Sequence, residues 1–226
     1  MGMFDHHQRA ETTCAATLVL ENLLETEDIH AKYTEALARL VEVVRGFDNF
    51  EEALLDGADD DRYQFMLADV LFGLKATGLE NEDVLSIGEK LLDSVLLVMR
   101  QKVAAEKDIQ EGYTFTSAWG KTLAVESKNS QIAHVALKQD IDIIVWRRPM
   151  ANRYTQENKG FIRIKQKPGG KKSLQPLYDE LVKKDPKATW FYHAPGNMII
   201  NGSAYTPDAV ASHLSLRKVV ELVKVG

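Results

Sequence analysis

The sequence predicts a chain of mixed α and β structure in two domains, residues 1–112 and residues 113–226. Apolar residues recur at three- and four-residue steps through most of the first domain, which is typical of amphipathic helices. No proline occurs before Pro149, so no proline interrupts those helices. After Gly112 the apolar residues form short alternating runs between turn residues, a pattern typical of strands mixed with helices. We therefore expect a mostly helical first domain and an α+β second domain.

In the first domain, capping residues and glycines mark where the helices begin and end. The expected helices are residues 12–25, 28–45, 50–55, 62–75 and 82–110. Gly46 and Gly78 would end the second and the fourth of them. The three carboxylates at residues 59–61 are expected to cap the fourth helix rather than to bind a metal. The fifth helix has an apolar face that we expect to be buried, formed by Val84, Leu85, Ile87, Leu91, Leu92, Val95, Leu96, Val98 and Met99.

The second domain alternates between strand and helix patterns. The expected strands are residues 121–127, 141–146, 160–166, 190–193 and 198–200, with the last two forming a hairpin. The expected helices are residues 131–138, 173–184 and 215–223. Ser173 and Ser215 stand at the start of the last two helices, where serine is a favoured N-cap. Pro168, Gly169 and Gly170 mark a loop before the second of these helices.

The composition excludes several classes of protein. Of the 226 residues, 45% are apolar and 27% are charged, which is ordinary for a globular protein. No apolar run reaches the roughly 18 residues that a membrane helix needs, and no secretory signal pattern is visible. Cys14 is the single cysteine, which excludes an internal disulfide and a cysteine-based zinc site, and we expect it to be a small core residue. These features predict a cytoplasmic protein.

The net charge of −5 conceals an asymmetry between the two domains. Residues 1–112 contain 10 Lys and Arg against 24 Asp and Glu, whereas residues 113–226 contain 18 against 9. Solvated helix faces explain much of the acidic excess in the first domain. They explain the basic excess in the second domain less well. The asymmetry indicates either two lobes that attract each other or a metal-facing lobe and an anion-facing lobe.

The most informative segment is Asp5-His6-His7-Gln8, which precedes the first expected helix. Imidazole and carboxylate groups together suit first-row divalent metals such as Mn²⁺. Met3-Phe4 is typical of a strand end, and a strand end followed by a helix N-terminus is where open α/β sheets bind ligands. The alternative is a flexible pair of surface histidines. For Asp48, metal ligation and N-capping of the next helix are alternatives that can coexist.

The segment Phe4-Asp5-His6-His7-Gln8-Arg9 resembles the D-H-H motif of the DHH phosphoesterase superfamily. Because Gln follows the second His, it is most similar to the D-H-H-Q branch, the melanocyte-proliferating-gene family of metal-dependent nucleases. Gly46-Phe47-Asp48-Asn49 resembles the next acidic motif of that branch. The resemblance implies that His6 and Asp48 are ligands of Mn²⁺ or Mg²⁺. It also implies that His7 contacts the substrate phosphate and that Asp5 orients the site.

The same resemblance implies a fold. The first domain would be the helical remainder of a doubly wound DHH-type domain, and the second a smaller mixed α+β domain that closes over the substrate. The earlier motifs of the family, a His and several Asp on its first strands, are not found in this sequence. Three alternatives follow: the chain is a fragment, a homo-oligomer or another polypeptide completes the N-terminal half, or the protein is inactive.

Basic and aromatic residues are interleaved in the second domain. The basic residues are Arg147, Arg148, Arg153, Lys159, Arg163, Lys165, Lys167, Lys171, Lys172, Lys183, Lys184 and Lys187. The aromatic residues are Trp146, Tyr154, Phe161, Trp190, Phe191 and Tyr192. Cationic side chains neutralise phosphates and aromatic rings stack on bases. The alternative is that the aromatic rings belong to the strand core and that the lysines are merely solvated.

From this cluster the candidate substrate-binding residues are Arg147, Arg163, Lys171, Lys172 and His193. The loop that carries the two lysines lets backbone amides approach an anion, although its spacing is not that of a Walker loop. The aromatic-His segment that ends at His193 resembles one near the C-terminus of the D-H-H-Q branch. The leading hypothesis is a metal-dependent phosphodiesterase or exonuclease that acts on RNA or short oligonucleotides. The alternative is a non-catalytic nucleic-acid- or nucleotide-binding module, or a partner subunit.

Overall fold

The computed structural model describes residues 4–7, 12–149, 160–195, 197–202, 206 and 208–226. The chain divides into two compact units, Met1–Val103 and Ala104–Gly226. Within the described residues there are seven α-helices, two 3-10 helices and one six-stranded sheet. The prediction of mixed α and β structure is therefore confirmed. None of the helices described is both long enough and apolar enough to cross a lipid bilayer.

The first unit is helical wherever it forms regular structure in the described residues. Its elements are α1 (Ala15–Glu25), α2 (Ala31–Asp48), a 3-10 helix (Glu51–Leu54), a second 3-10 helix (Asp61–Phe65), α3 (Leu67–Ala76) and the first part of α4 (Asn81–Glu111). Asp60 caps the second 3-10 helix, because its carboxylate accepts a hydrogen bond from the Arg62 N–H at 2.9 Å. A capping role is thus found for Asp60, but on a short 3-10 helix, because the helix predicted over residues 62–75 is divided and α3 begins only at Leu67.

The end of α2 differs from the prediction. Gly46 does not end this helix, which continues to Asp48 with the Asn49 N–H donating to the Arg45 carbonyl at 3.1 Å. Asp48 is therefore the last residue of α2, and the prediction that it caps the next helix was wrong. Phe50 takes that position, with a left-handed backbone and no side-chain hydrogen bond. The chain turns sharply here and leaves the Asp48 carboxylate at a helix end.

The first unit buries few of its apolar side chains. The buried apolar residues of its described part are Cys14, Leu18, Ala36 and Val103. The predicted burial of the α4 face was wrong in part, since Leu85, Leu92, Val95 and Val98 are exposed. Periodicity identifies a helix, but an apolar face is buried only where another element packs on it. The described residues of this unit supply little of that packing.

The second unit is built on a six-stranded sheet. Its strands are β1 (Tyr113–Ser117), β2 (Gly120–Glu126), β3 (Ile143–Pro149), β4 (Gly160–Gln166), β5 (Phe191–His193) and β6 (Met198–Ile200). The order in the sheet is β1-β2-β3-β4-β6-β5, with β2 and β3 parallel and the other neighbours antiparallel. The helices are α5 (Ile132–Ala136), α6 (Gln175–Lys184) and α7 (Leu216–Val225), in addition to the end of α4. The predicted hairpin is confirmed as β5 and β6.

Two details of the second unit differ from the prediction. Strand β1 was not predicted; it begins two residues after α4 and is closed onto β2 by a turn at Gly120. Gly120 has a φ of 104°, a conformation that side chains other than glycine rarely adopt. Ser173 does not stand next to α6, because Leu174 is the N-cap position, although the Ser173 hydroxyl accepts from the Gln175 N–H at 3.1 Å.

The side chains of the sheet alternate between two faces. One face packs against α6 and α7 in a core that includes Val145, Ile164 and Leu181. We call it the helix-covered face. The second face is packed over β2 and β3, where Leu123 and Ile144 lie against α5 and the end of α4. Over β4, β6 and β5 the second face carries partly or fully exposed side chains: Phe161, Arg163, Lys165, Phe191, His193, Met198 and Ile200. We call this part the open face.

Candidate functional site

The first unit brings together the two residues that the sequence predicts as metal ligands. His6 Nε2 lies 3.2 Å from Asp48 Oδ2, although the two residues are 42 positions apart in the chain. The His6 side chain is 21% exposed and that of Asp48 is 43% exposed, so solvent can reach the pair. The D-H-H segment and the second acidic segment therefore meet in space.

Hydrogen bonds at the end of α2 tie its last turn to the segment before α1. The Asn49 side chain donates to the Thr13 carbonyl at 3.3 Å and to the Arg45 carbonyl at 2.7 Å. This amide joins the segment before α1 to the last turn of α2, directly beside Asp48. Arg45 in turn binds Glu51 at 2.6 Å and thereby holds the 3-10 helix that follows. The asparagine of the Asp48-Asn49 pair is thus a structural residue that positions the aspartate.

Asp5 and His7 form a second pair within the same segment. His7 Nδ1 lies 3.0 Å from Asp5 Oδ1, and the His7 backbone N–H donates to the same oxygen at 3.2 Å. These hydrogen bonds hold the pKa of the Asp5 carboxyl below its usual value. The His6 and His7 rings stack with their centroids 4.4 Å apart, and the His7 side chain is 80% exposed. Asp5 orients His7, and His7 is the more accessible imidazole.

The donor atoms of His6 and Asp48 suit a divalent cation in type and spacing. Two atoms that each bind one ion at about 2.1 Å lie roughly 3.0–3.4 Å apart, which includes the separation of this pair. The described residues contain no group of three or more His, Cys, Asp or Glu side chains arranged for a metal. Gln8 and Arg9, which complete the D-H-H-Q segment, lie outside the described residues. The described part of the chain therefore supplies two donors of a possible site, and no bridging carboxylate.

The predicted substrate-binding residues of the second unit lie in three different places. Arg147 is 1% exposed on the helix-covered side of β3 and binds Glu126 at 2.9 Å. Its position favours a structural role rather than contact with a substrate. Arg163 and His193 lie on the open face, where the Arg163 guanidinium is 5.3 Å from the Trp146 ring. Arg153, Tyr154 and Lys159, also part of the predicted cluster, lie outside the described residues.

Lys171 and Lys172 border a cavity of about 320 Å³. The loop of residues 167–172 forms one wall, and Trp119, Asp142 and Gln166 line the remainder. Lys172 is already engaged, since its ammonium lies 5.1 Å from the Trp119 ring and donates to the Gly226 carbonyl at 3.0 Å. This loop can offer cations to an anion, but one of its two candidate lysines also stabilises the fold.

Asn197 organises this loop, although the sequence did not predict it as a functional residue. Its Oδ1 accepts from the Leu174 N–H at 3.0 Å, and its Nδ2 donates to the Lys172 carbonyl at 3.0 Å. Its amide group also contacts the buried Gln166 side chain. The available signal was an asparagine next to a glycine in a hairpin turn, and that signal predicts only local structure. Gly196, the glycine that precedes it, lies outside the described residues.

Comparisons of this chain with protein-family models, with curated proteins and with solved structures found no match.

Proposed function

We propose that this protein is a metal-dependent phosphoesterase of the DHH type, which hydrolyses phosphodiester bonds in RNA or short oligonucleotides with Mn²⁺ or Mg²⁺. The observation that carries the proposal is the 3.2 Å separation between His6 Nε2 and Asp48 Oδ2. Each residue belongs to a segment that resembles a different motif of that superfamily. A helical first unit and an α+β second unit are also in keeping with a DHH-type domain followed by a smaller substrate-binding domain.

In this proposal each residue of the D-H-H segment has a distinct role. His6 and Asp48 would hold one metal ion, which supplies an activated water and polarises the phosphate when it is bound. Asp5 is a positioning residue, because its contact with His7 Nδ1 fixes the ring orientation. The His7 Nε2 atom is then directed away from Asp5. When the ring carries both protons, Nε2 can donate a hydrogen bond to a phosphate oxygen.

A two-metal hydrolytic site needs further carboxylates, including one that bridges the ions. Because the described residues contribute only His6 and Asp48, the proposal requires the other ligands to come from outside them or from a partner chain. The presence of only two candidate ligands among the described residues also favours a second candidate function, a nucleic-acid-binding module without catalysis. A chelator should abolish the metal-dependent reaction but leave binding by the non-catalytic module unchanged.

The first test is metal binding, which does not depend on turnover. We expect electron paramagnetic resonance titration to show Mn²⁺ binding to the full chain. His6→Ala and Asp48→Asn should each lower the affinity by more than about a hundredfold, since the loss of residues that only support a ligand already costs roughly 10–100-fold. His134→Ala, an exposed histidine on α5, is the matched control and should bind Mn²⁺ like the parent chain.

The second test is hydrolysis of a chromogenic phosphodiester and of a short RNA in Mn²⁺. We expect His6→Ala to abolish both reactions and His134→Ala to leave them unchanged. A chain that neither binds Mn²⁺ nor hydrolyses either substrate would overturn the enzyme proposal. Oligonucleotide binding that persists in chelator would then support the second candidate function.

A further inference from the structure

The open face of the sheet combines cations and exposed aromatic surface in cross-strand rows. Residues paired across neighbouring strands project from the same face. Two such rows run from β5 through β6 and β4 to β3: Phe191–Ile200–Arg163–Trp146 and His193–Met198–Lys165–Ile144. Arg148 and Phe161 form the adjoining pair of β3 and β4. With about 4.8 Å between neighbouring strands, the rows are roughly 14 Å long.

Among the strand positions that the structure describes on this face, the cations have no acidic partner. Every strand position on the open face and on its continuation over β3 carries an apolar, aromatic, methionine, histidine or basic residue. Among the described residues, Arg148, Arg163 and Lys165 form no ion pair with a carboxylate. Partial burial and the neighbouring Arg148 guanidinium both lower the pKa of Arg163. Two like charges held together in this way are stabilised by an anion that lies across them.

Among the aromatic rings of this face, that of Phe191 is the most exposed, whereas that of Trp146 is buried. Phe191 is 57% exposed on the outermost strand, and its ring centroid lies 6.4 Å from that of His193. Tyr192, the residue between them, projects instead into the helix-covered core. A phenylalanine held on a rigid sheet beside cations offers a flat surface to which an unpaired base can stack.

We propose that the open face binds single-stranded nucleic acid, with phosphates on Arg148, Arg163 and Lys165 and a base stacked on Phe191. The charge of the face requires a polyanion, and the exposed ring favours one that has flat apolar groups. Duplexes hide their bases, and acidic peptides carry no such groups in regular order. This inference rests on the proposed function only in assigning the reaction that would follow binding. Its own test does not involve that reaction.

The test is fluorescence anisotropy of a labelled 12-nucleotide oligouridine with the full chain in EDTA, at several salt concentrations. Binding in EDTA is independent of the metal site, so failure of this inference and failure of the proposed phosphoesterase are distinguishable. We expect salt-dependent binding with a slope of log K against log salt of about −2, since each phosphate contact to a single strand contributes about −0.7. A duplex of the same length should bind more weakly.

Two variants and two matched controls locate the site. Phe191→Ala should weaken binding by at least about fivefold, the lower end of the effect of one base–aromatic stack. Arg163→Gln should make the salt slope less negative by about 0.7. Tyr113→Ala removes a similarly exposed ring, 52% exposed, from the helix-covered side, and Lys184→Gln removes a charge from α6. Both controls should bind like the parent chain.

Several results would overturn the inference. These are an absence of salt-dependent binding, equal losses in the variants and their controls, or tighter binding of the duplex. Thermal unfolding of each variant shows whether it is folded. Because Phe191 is exposed, its replacement by alanine should leave the midpoint close to that of the parent chain.

Discussion

Among single residues, Asp5 has the protonation state that bears most directly on the candidate metal-binding site. Its carboxylate accepts from both the ring and the backbone N–H of His7, and these contacts lower its pKa. A carboxyl with a lowered folded pKa stabilises local structure above its unfolded pKa and loses that contribution as pH falls through the folded pKa. The orientation of His7 should therefore persist at neutral pH and be lost in acid.

This contact can be measured by carbon-13 NMR titration of the Asp5 carboxyl. We expect a midpoint below the usual value of 3.8 in the parent chain. His7→Ala should raise the midpoint, since the side-chain hydrogen bond is the largest cause of the shift. His30→Ala, which removes the N-cap of α2, is the control and should leave the Asp5 midpoint unchanged. An Asp5 midpoint that is the same with and without the His7 ring would contradict the contact.

For single residues of the candidate site, the sequence could predict the side-chain chemistry but not the spatial arrangement. The spacing and types of Asp5, His6 and His7 identified a metal-binding hypothesis, and the acidic residue beside Asn49 could be named as a partner. Their proximity could not be derived, because it is a contact between segments distant in the chain, like the neighbouring Asn49 hydrogen bond to a carbonyl 36 positions away. For Arg147 and Arg163 the sequence offered two similar cations, and only the strand register placed one in the core and the other on the open face.

Among the elements, the segment that leaves β6 is held in place by one buried amide. Asn201 is 0% exposed, and its Nδ2 donates to the carbonyls of Thr189 at 2.8 Å and Val210 at 3.1 Å. Its Oδ1 accepts from the Ser212 N–H at 2.7 Å. These contacts show that Asn201 has a structural role. The side chain supplies hydrogen bonds that no neighbouring strand provides.

We expect Asn201→Ala to lower the free energy of unfolding by about 3 kcal/mol, because three hydrogen bonds are lost and the buried Ser212 N–H is left unsatisfied. Urea denaturation followed by tryptophan fluorescence measures this change, since all three tryptophans, Trp119, Trp146 and Trp190, lie in the second unit. Gln139→Ala, at an exposed position in the second unit, is the control and should cause no loss. A change below about 0.5 kcal/mol in Asn201→Ala would show that the loop does not depend on this amide.

At the scale of the whole molecule, apolar burial is distributed unevenly between the two units. Leu181 is fully buried in the second unit, whereas Phe72 in the first unit is 77% exposed. Leu181→Ala should cost roughly 2–5 kcal/mol, because it removes transfer free energy and leaves a cavity. Phe72→Ala should change the stability by less than about 0.5 kcal/mol.

Tryptophan fluorescence reports the Leu181 variant, and far-ultraviolet circular dichroism reports the helical unit that contains Phe72. A large loss in Phe72→Ala would contradict the described exposure. It would show that this side chain is covered in solution. Measurement at two protein concentrations would then distinguish burial by a second copy, since only that burial depends on concentration.

The sequence by itself determined the type of most elements in both units. Hydrophobic period, glycines and capping residues are local signals, and they are sufficient to distinguish a helix from a strand. The Asp5-His6-His7 chemistry is likewise a property of adjacent residues. Only the tertiary structure decided which apolar faces are buried, that Asp48 lies at His6, and which cations share the open face. Those outcomes depend on contacts between residues distant in the chain, and no local pattern specifies such contacts.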